Sequence, residues 1–220
     1  MMKSVIFDLD GTLADTSGDL INAANACFRG LGLGDLLSKE TDRLTALRGG
    51  RAMLTLGFSR VEGFGEADIL AEYPKLLTHY GAHIADETVL YPGVIEAVEK
   101  LRSAGYQVGI CTNKPEGLAE NLMKTLGVRN LFGALLGADS LPVKKPDPEH
   151  YHETVRRAGG DPKRGCLVGD TVTDRETARA AGVPSILVGF GPEGDVAHLE
   201  PEAILNHFDD LPDVVERLNL

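Results

Sequence analysis

Two carboxylates at the end of the first predicted strand are the residues best placed to do chemistry. Val5-Ile6-Phe7 is a short β-branched and aromatic run, typical of a buried strand, and Asp8 and Asp10 follow it. Because side chains alternate along a strand, both carboxylates are predicted to face one pocket. Their like charges repel and are costly to desolvate, and a cation relieves both penalties. Mg²⁺, which prefers oxygen ligands and keeps several waters, fits best.

The same carboxylates have a simpler interpretation, in which they only end a strand at a turn. Gly11 allows a tight turn of the backbone, and Thr12 adds a hydroxyl at the rim of the predicted pocket. The complete string over residues 8–13 is more specific than the two carboxylates alone. Other segments of the chain must therefore decide between the two interpretations.

A second polar cluster, Thr112-Asn113-Lys114, follows another predicted buried strand, and Pro115 then opens a helix. A hydroxyl, an amide side chain and the free N–H groups of a helix start are the groups that a phosphate needs. The alternative, which is the simpler explanation of this cluster taken by itself, is ordinary capping of the helix.

The third cluster is a lysine held in front of a proline. Pro146 keeps Lys145 extended, and a point positive charge there can neutralise a phosphoryl group and an attacking carboxylate. The alternative is that Lys144 and Lys145 belong to a solvated loop.

The fourth cluster again places acidic groups at the end of a strand. The predicted strand over residues 165–169 ends at Asp170, and Asp174 lies four residues later, about one helical turn away. Two strand ends that carry acidic groups can share a metal ion. The alternative is that Asp170 and Asp174 cap the next helix.

The elements that must position these groups alternate through the second half of the chain. Strands are predicted over residues 106–111, 131–136, 165–169 and 185–188, and helices over 94–104, 118–126, 150–158, 175–181 and 211–218. This alternation predicts an α/β fold, a three-layer Rossmann-like parallel sheet with helices on both faces.

The region between the first and second clusters has a different pattern. No convincing strand is found over residues 19–80, and apolar residues recur at helical spacing over 20–31 and 69–80. Pro74 is predicted to kink or split the second of these helices. The sequence therefore predicts an α/β core of residues 1–14 and 86–220, with an all-helical insertion of residues 15–85.

Composition restricts the class of protein. The chain has 220 residues, 43% of them hydrophobic, which is enough for a substantial core. A net charge of −11 argues against nucleic-acid binding but permits an anionic substrate in a locally positive pocket. Three irregularly spaced cysteines suggest buried free thiols in a reducing compartment. With no apolar run of membrane-spanning length and no signal-peptide pattern, we expect a cytoplasmic protein without a membrane partner.

Taken in chain order, the four clusters resemble the four motifs of the haloacid dehalogenase superfamily. These motifs are Asp8-x-Asp10-Gly11-Thr12, Thr112-Asn113, Lys145-Pro146 and Gly169-Asp170-x-x-x-Asp174. The helical insertion resembles the cap domain of that superfamily. The segment over residues 168–174, with residues 178–184 and 189–191 after it, is most similar to the phosphoglycolate phosphatase branch.

The resemblance implies a phosphatase that uses an aspartate nucleophile on a small phosphorylated metabolite. Asp8 would attack phosphorus, and Asp10 would protonate the leaving alcohol and then deprotonate the hydrolytic water. Asp10 is therefore expected to be less stabilised as an anion than Asp8, which Mg²⁺ and Lys145 hold ionised. The superfamily's dehalogenases lack a second aspartate in the first motif, so Asp10 favours a phosphate substrate.

The resemblance also implies the ligands of the metal and of the phosphoryl group. Mg²⁺ would be held by a side-chain oxygen of Asp8, the backbone carbonyl of Asp10 and the carboxylate of Asp170. Asp174 would bind it through water or orient the other ligands. The phosphoryl charge would be stabilised by Thr112, the N–H of Asn113 and Lys145.

Substrate choice is expected to lie in the insertion. For a small carboxylated leaving group such as glycolate, an arginine is the natural partner, and the candidates are Arg51 and Arg48, with Arg51 preferred. The alternative is that both are surface charges. The sequence departs here from the pattern of the branch, in which a Val-Gly pair often precedes the corresponding turn.

Three functions remain in competition. The favoured one is a Mg²⁺-dependent phosphatase for 2-phosphoglycolate, acting as a monomer or homodimer. The second is a β-phosphoglucomutase, pyrophosphatase or phosphonoacetaldehyde hydrolase on the same scaffold. The third is a non-catalytic binding module, which is disfavoured because a chemically competent residue fills every motif position.

Overall fold

The computed structural model describes residues 2–191 and 194–220 and separates the chain into two compact units. The larger unit comprises Met1–Ala14 and Leu90–Leu220, and the smaller one comprises Asp15–Val89. The strands are β1 (Ser4–Phe7), β2 (Ala14–Asp15), β3 (Val89–Leu90), β4 (Gln107–Cys111), β5 (Ala134–Leu136), β6 (Gly165–Gly169), β7 (Ser185–Val188) and β8 (Ala203–Leu205). The helices are α1 (Ser17–Gly30), α2 (Arg43–Leu47), α3 (Gly50–Phe58), α4 (Glu66–Ala82), α5 (Val94–Ser103), α6 (Glu116–Thr125), α7 (Pro148–Ala158), α8 (Val172–Ala181) and α9 (Leu211–Arg217).

The larger unit is built on a parallel sheet with strand order β5-β4-β1-β6-β7-β8. Every residue of β1 and β6 is buried, as expected for apolar strands covered by helices on both faces. The predicted α/β fold with a parallel sheet is therefore confirmed. β2 pairs with β3 in a separate two-stranded sheet.

The register of the sheet sets the position of the predicted motifs. Phe7 of β1 lies opposite Ile110 of β4 and Val168 of β6, so these three strands end at nearly the same level. The residues that follow these strands therefore emerge together at the carboxyl edge, where ligands bind in open parallel sheets.

The smaller unit contains α1 to α4. Phe28 of α1 packs edge-on against Phe58 of α3, with ring centroids 5.2 Å apart. Gly57 permits this contact, because a Cβ at that position would lie 2.1 Å from the Phe28 ring. The buried Asp19 carboxylate accepts hydrogen bonds from Thr88 N (2.9 Å), Thr88 Oγ1 (2.7 Å) and Glu87 N (3.1 Å), and so ties the beginning of this unit to its end.

Some sequence predictions differ from the structure in detail. α4 continues through Pro74, so Pro74 does not split the helix, and the alternative that it kinks the helix stays a prediction. The helix bears the loss of one backbone N–H because its buried face is packed along Ile69, Leu76 and Tyr80. The predicted strand over 131–136 covers only Ala134–Leu136, because Arg129–Leu131 forms a 3₁₀ turn. The edge strand β8 was not predicted. In the part of the chain that the structure describes, no helix has the length and apolar character to span a bilayer.

Candidate active site

A buried lysine at the carboxyl edge of the sheet joins two of the predicted aspartates. Lys145 Nζ lies 2.9 Å from Asp8 Oδ2 and 2.6 Å from Asp174 Oδ1, and its side chain is 1% exposed. Burial alone would lower the pKa of Lys145, but Asp174 and Asp8 more than offset this effect and the pKa is raised. Lys145 is therefore a fixed positive charge between two carboxylates.

Asp8 is held in a defined orientation at the end of β1. Its Oδ1 accepts a hydrogen bond from Leu9 N at 2.7 Å, while Oδ2 faces Lys145. Burial raises the pKa of Asp8 to about 6, against the opposing effect of Lys145, and the charge of Asp174 adds to the increase. The carboxylate of Asp8 is thus a destabilised anion, which a second cation would stabilise.

Asp8, Asp170 and Asp174 form a buried acidic cluster in which one oxygen of each lies within 4.8 Å of the others. Thr12 Oγ1 donates to Asp170 Oδ1 at 3.0 Å, whereas the buried Asp170 Oδ2 has no hydrogen-bond partner among the described residues. Burial, followed by Asp174 and Asp8, raises the pKa of Asp170 well above its ordinary value. A buried carboxylate oxygen without a donor, among like charges, fits a hard divalent cation such as Mg²⁺.

Asp174, in the same cluster, accepts hydrogen bonds through both of its carboxylate oxygens. Its Oδ2 accepts hydrogen bonds from Thr171 Oγ1 (2.8 Å) and Thr171 N (3.1 Å) at the start of α8. Its Oδ1 accepts from Lys145 Nζ. Both oxygens of Asp174 are therefore engaged within the protein, an arrangement that fits the orienting role, and the helix-capping interaction given as the alternative is also present.

The second-motif residues connect neighbouring loops. Thr112 is 1% exposed, and its Oγ1 accepts a hydrogen bond from Lys114 N at 3.2 Å. Asn113 Nδ2 donates to the carbonyl oxygen of Lys145 at 3.0 Å. The Lys145–Pro146 peptide bond is cis. The loops after β4 and β5 thus hold Thr112 and Lys145 in one constellation.

Asp10 has a partner that sequence reasoning did not assign. Lys114 Nζ lies 2.7 Å and 3.0 Å from the two carboxylate oxygens of Asp10, and the lysine side chain is 4% exposed. An ammonium group is therefore paired with Asp10, and the expectation that Asp10 is less stabilised as an anion than a Mg²⁺-bound Asp8 stays a prediction. The sequence signal for Lys114 was its position in the second cluster, two residues after Thr112.

The predicted arginines belong to the smaller unit. Arg48 follows α2 and Arg51 lies in the first turn of α3, and both line a surface cavity of about 590 Å³. Three hydroxyl residues share this lining: Thr45, Thr55 and Ser59. Arg51 forms an ion pair with Glu66, and its side chain is more than half exposed. The structure therefore places the two arginines together but in a different unit from the aspartates.

Comparisons with known proteins identify the family of the chain. Residues 5–188 match the model of the haloacid dehalogenase-like hydrolase family. A phosphoglycolate phosphatase from Mesorhizobium japonicum is 40% identical, over 97% of this chain and 95% of that protein. A second, from Agrobacterium fabrum, is 39% identical over 97% of this chain and 92% of that protein.

Solved structures show the same likeness. CbbY from Rhodobacter sphaeroides in complex with phosphate has a TM-score of 0.78 at 25% identity and matches over the full length of both chains. CbbY has also been solved with xylulose-(1,5)bisphosphate, with a TM-score of 0.76 at 25% identity over 96% of each chain.

The parallel sheet and the buried aspartates and lysine at its carboxyl edge define an enzyme of the hydrolase class. The chain belongs to the haloacid dehalogenase-like hydrolase family. The predicted family, fold and class of enzyme, a phosphoric monoester hydrolase similar to phosphoglycolate phosphatases, are therefore confirmed.

Proposed function

We propose that this protein is a Mg²⁺-dependent phosphatase that hydrolyses 2-phosphoglycolate through a phosphorylated Asp8. The observation that carries the proposal is the acidic cluster around Lys145, in which Asp170 Oδ2 is buried without a donor. The names of the relatives support the choice of substrate. The three cysteines are buried free thiols, which supports a reducing, cytoplasmic location.

In the first half-reaction the Asp8 carboxylate attacks phosphorus. The bond from phosphorus to the leaving oxygen breaks, and that oxygen takes the proton of Asp10. Lys145, Thr112 and the N–H of Asn113 stabilise the charge on the transferred phosphoryl oxygens. Mg²⁺, held by Asp8, Asp170 and the Asp10 carbonyl, would supply further positive charge to the phosphoryl group.

In the second half-reaction Asp10 acts as a base. Its carboxylate removes a proton from a water molecule, and the resulting hydroxide attacks the phosphorus of phospho-Asp8. The bond between phosphorus and the Asp8 oxygen breaks, which releases inorganic phosphate and restores both carboxyl groups. Asp10 therefore serves both halves of the reaction from one position.

The arginines of the smaller unit are proposed to select the substrate. A guanidinium pairs with a carboxylate through two parallel hydrogen bonds, and Arg51 and Arg48 line one cavity. Arg51→Ala should raise KM for 2-phosphoglycolate about 10-fold or more, since a charge-assisted hydrogen bond contributes roughly 1.5–3 kcal/mol. KM for 4-nitrophenyl phosphate, which lacks the carboxylate, should change little. Equal changes for both substrates would remove Arg51 from this role.

A sugar bisphosphate is a second candidate substrate. It is favoured by the structure of CbbY with xylulose-(1,5)bisphosphate and by the pair of arginines, which could bind a second phosphate. Such a substrate would use the same Asp8 chemistry, so only a substrate panel separates the two candidates.

The decisive experiment measures phosphate release from such a panel, with Mg²⁺ and with excess chelator. The panel holds 2-phosphoglycolate, a sugar 1,5-bisphosphate, glucose 1-phosphate, pyrophosphate and phosphonoacetaldehyde, and Asp8→Asn is the inactive control. Chelator-sensitive preference for 2-phosphoglycolate supports the whole proposal. Preference for another phosphate ester of the panel keeps the Asp8 mechanism and replaces the substrate, whereas release from no ester refutes the proposed function.

A further inference from the structure

The larger unit buries a second lysine that the mechanism above does not use. Lys114 lies just before α6, and its Nζ contacts both carboxylate oxygens of Asp10 at 2.7 Å and 3.0 Å. The Lys114 side chain is 4% exposed and that of Asp10 is 17% exposed. A buried ammonium is costly unless it is paired, so this contact is a built feature of the site and not a chance surface pair.

The backbone of Lys114 is fixed from two sides. Its N–H donates to Thr112 Oγ1 at 3.2 Å, and its carbonyl oxygen accepts a hydrogen bond from Ala138 N at 2.9 Å. The loop after β5 packs closely here, because a Cβ on Gly137 would lie 2.6 Å from the carbonyl oxygen of Lys114. The lysine is therefore presented to Asp10 from a rigid base.

The two buried lysines have different aspartate partners. Lys145 contacts Asp8 and Asp174, whereas Lys114 contacts Asp10. The nucleophile and the proposed acid–base group are thus each oriented by a separate cation. This division suggests that Lys114 serves the role of Asp10 and not the attack by Asp8.

We propose that Lys114 is the positioning residue of Asp10 for proton transfer to the leaving group. The inference rests on the proposed function of Asp10. As the bond from phosphorus to the leaving oxygen breaks, its electron pair stays on that oxygen, which takes the Asp10 proton. Asp10 then carries a negative charge that faces the Lys114 ammonium. Lys114 keeps all three of its protons throughout.

This role predicts a dependence on the leaving group. The alkoxide released from 2-phosphoglycolate needs a proton, whereas the nitrophenolate released from 4-nitrophenyl phosphate is a stable anion. Loss of Lys114 should therefore affect the alkyl ester and spare the aryl ester. A lysine that touched the transferred phosphoryl group would affect both esters equally.

The test compares kcat/KM for the two esters in Lys114→Met, because kcat/KM reports phosphoryl transfer to Asp8 without the later hydrolysis of the intermediate. General acid catalysis typically contributes about 10²- to 10⁴-fold. We expect kcat/KM for 2-phosphoglycolate to fall about 10- to 100-fold and that for 4-nitrophenyl phosphate to fall less than about 3-fold. Lys124→Met on α6, which removes an exposed lysine, is the matched control and should change neither value.

A double-mutant comparison makes the test independent of the fold of the single variant. Asp10→Asn with Lys114→Met removes both partners and leaves no unpaired buried charge. If Lys114 acts through Asp10, the double variant should match Asp10→Asn within about 2-fold on both esters. A further loss in the double variant, or an equal loss on both esters in Lys114→Met, overturns the positioning role. Failure of the unmodified enzyme to hydrolyse either ester would instead refute the proposed function.

Discussion

Replacing Asp8 by Asn should stabilise the metal-free protein while abolishing its activity. Burial and the neighbouring Asp174 make the ionised form of Asp8 unfavourable, even with Lys145 2.9 Å away. Asparagine has nearly the same shape and no charge, so it resembles the protonated acid that the folded site prefers. The proposed nucleophile is thus held in a form that lowers the stability of the folded protein.

The size of the effect follows from the pKa. Folding raises the pKa of Asp8 from 3.8 to about 6, and each pH unit of difference corresponds to about 1.4 kcal/mol. The ionised side chain therefore destabilises the folded state by about 3 kcal/mol above pH 6. The attraction of Lys145 is already contained in this value, because the pKa compares the charged and neutral forms in the same surroundings.

The sign of the pH dependence is fixed by the same comparison. The folded protein prefers Asp8 protonated, so the contribution of Asp8 to the free energy of unfolding is highest below pH 3.8, where Asp8 is protonated in both states. This contribution is lost as the pH rises through about 6. Asp8→Asn should therefore gain about 3 kcal/mol at pH 7.5 and progressively less toward pH 4.

The assay is urea unfolding in excess chelator at pH 7.5, 6 and 5. Asp213→Asn, which alters an exposed carboxylate in the first turn of α9, serves as the control. Destabilisation of Asp8→Asn at every pH would refute the argument that the charge of Asp8 is strained in the folded protein.

Three further predictions concern the same cluster. Mg²⁺ should raise the Tm more at pH 7.5 than at pH 5, because the raised pKa values of Asp170 and Asp8 make metal binding compete with protons. Equal increases in Tm at the two pH values would contradict this prediction. Thr12→Val should weaken Mg²⁺ binding about 10- to 100-fold in calorimetry, with Thr12→Ser as the conservative control, because the Thr12 hydroxyl orients Asp170. Lys145→Met should destabilise the metal-free protein by about 3–5 kcal/mol in urea unfolding, because it leaves buried carboxylates unpaired, whereas the exposed-site variant Lys144→Met should not.

The strand-end motifs could be predicted because their signals are local. Each of Asp8, Thr112 and Asp170 follows a short apolar run, and the parallel arrangement of such runs brings their ends to one edge of the sheet. The roles proposed for these residues rest on the order of the motifs along the chain. The structure was needed to show which oxygen of each carboxylate accepts a hydrogen bond, as for Asp170, where Oδ1 accepts from Thr12 and Oδ2 has no donor among the described residues.

The pairing of Lys114 with Asp10 could not be predicted in the same way. The two residues are 104 positions apart, and their contact depends on the adjacency of β1 and β4 and on the side-chain conformation of the lysine. The place of Lys114 in the second cluster put it near the site, but a lysine after a strand is common and does not identify its own partner. The edge strand β8 was missed for a related reason, since three residues give too short a pattern to show a period.

The hydrogen bonds of Asp19 have a consequence for how enzymes of this kind diversify. A single carboxylate fastens the first helix of the smaller unit to Glu87 and Thr88, where the chain is about to leave it. These hydrogen bonds hold the two ends of the smaller unit together. Insertions or deletions between its helices therefore need not alter the spacing of those ends. Selection can therefore remodel the surface of this unit, including the cavity at Arg48 and Arg51, without disturbing the register of the strands that carry the aspartates.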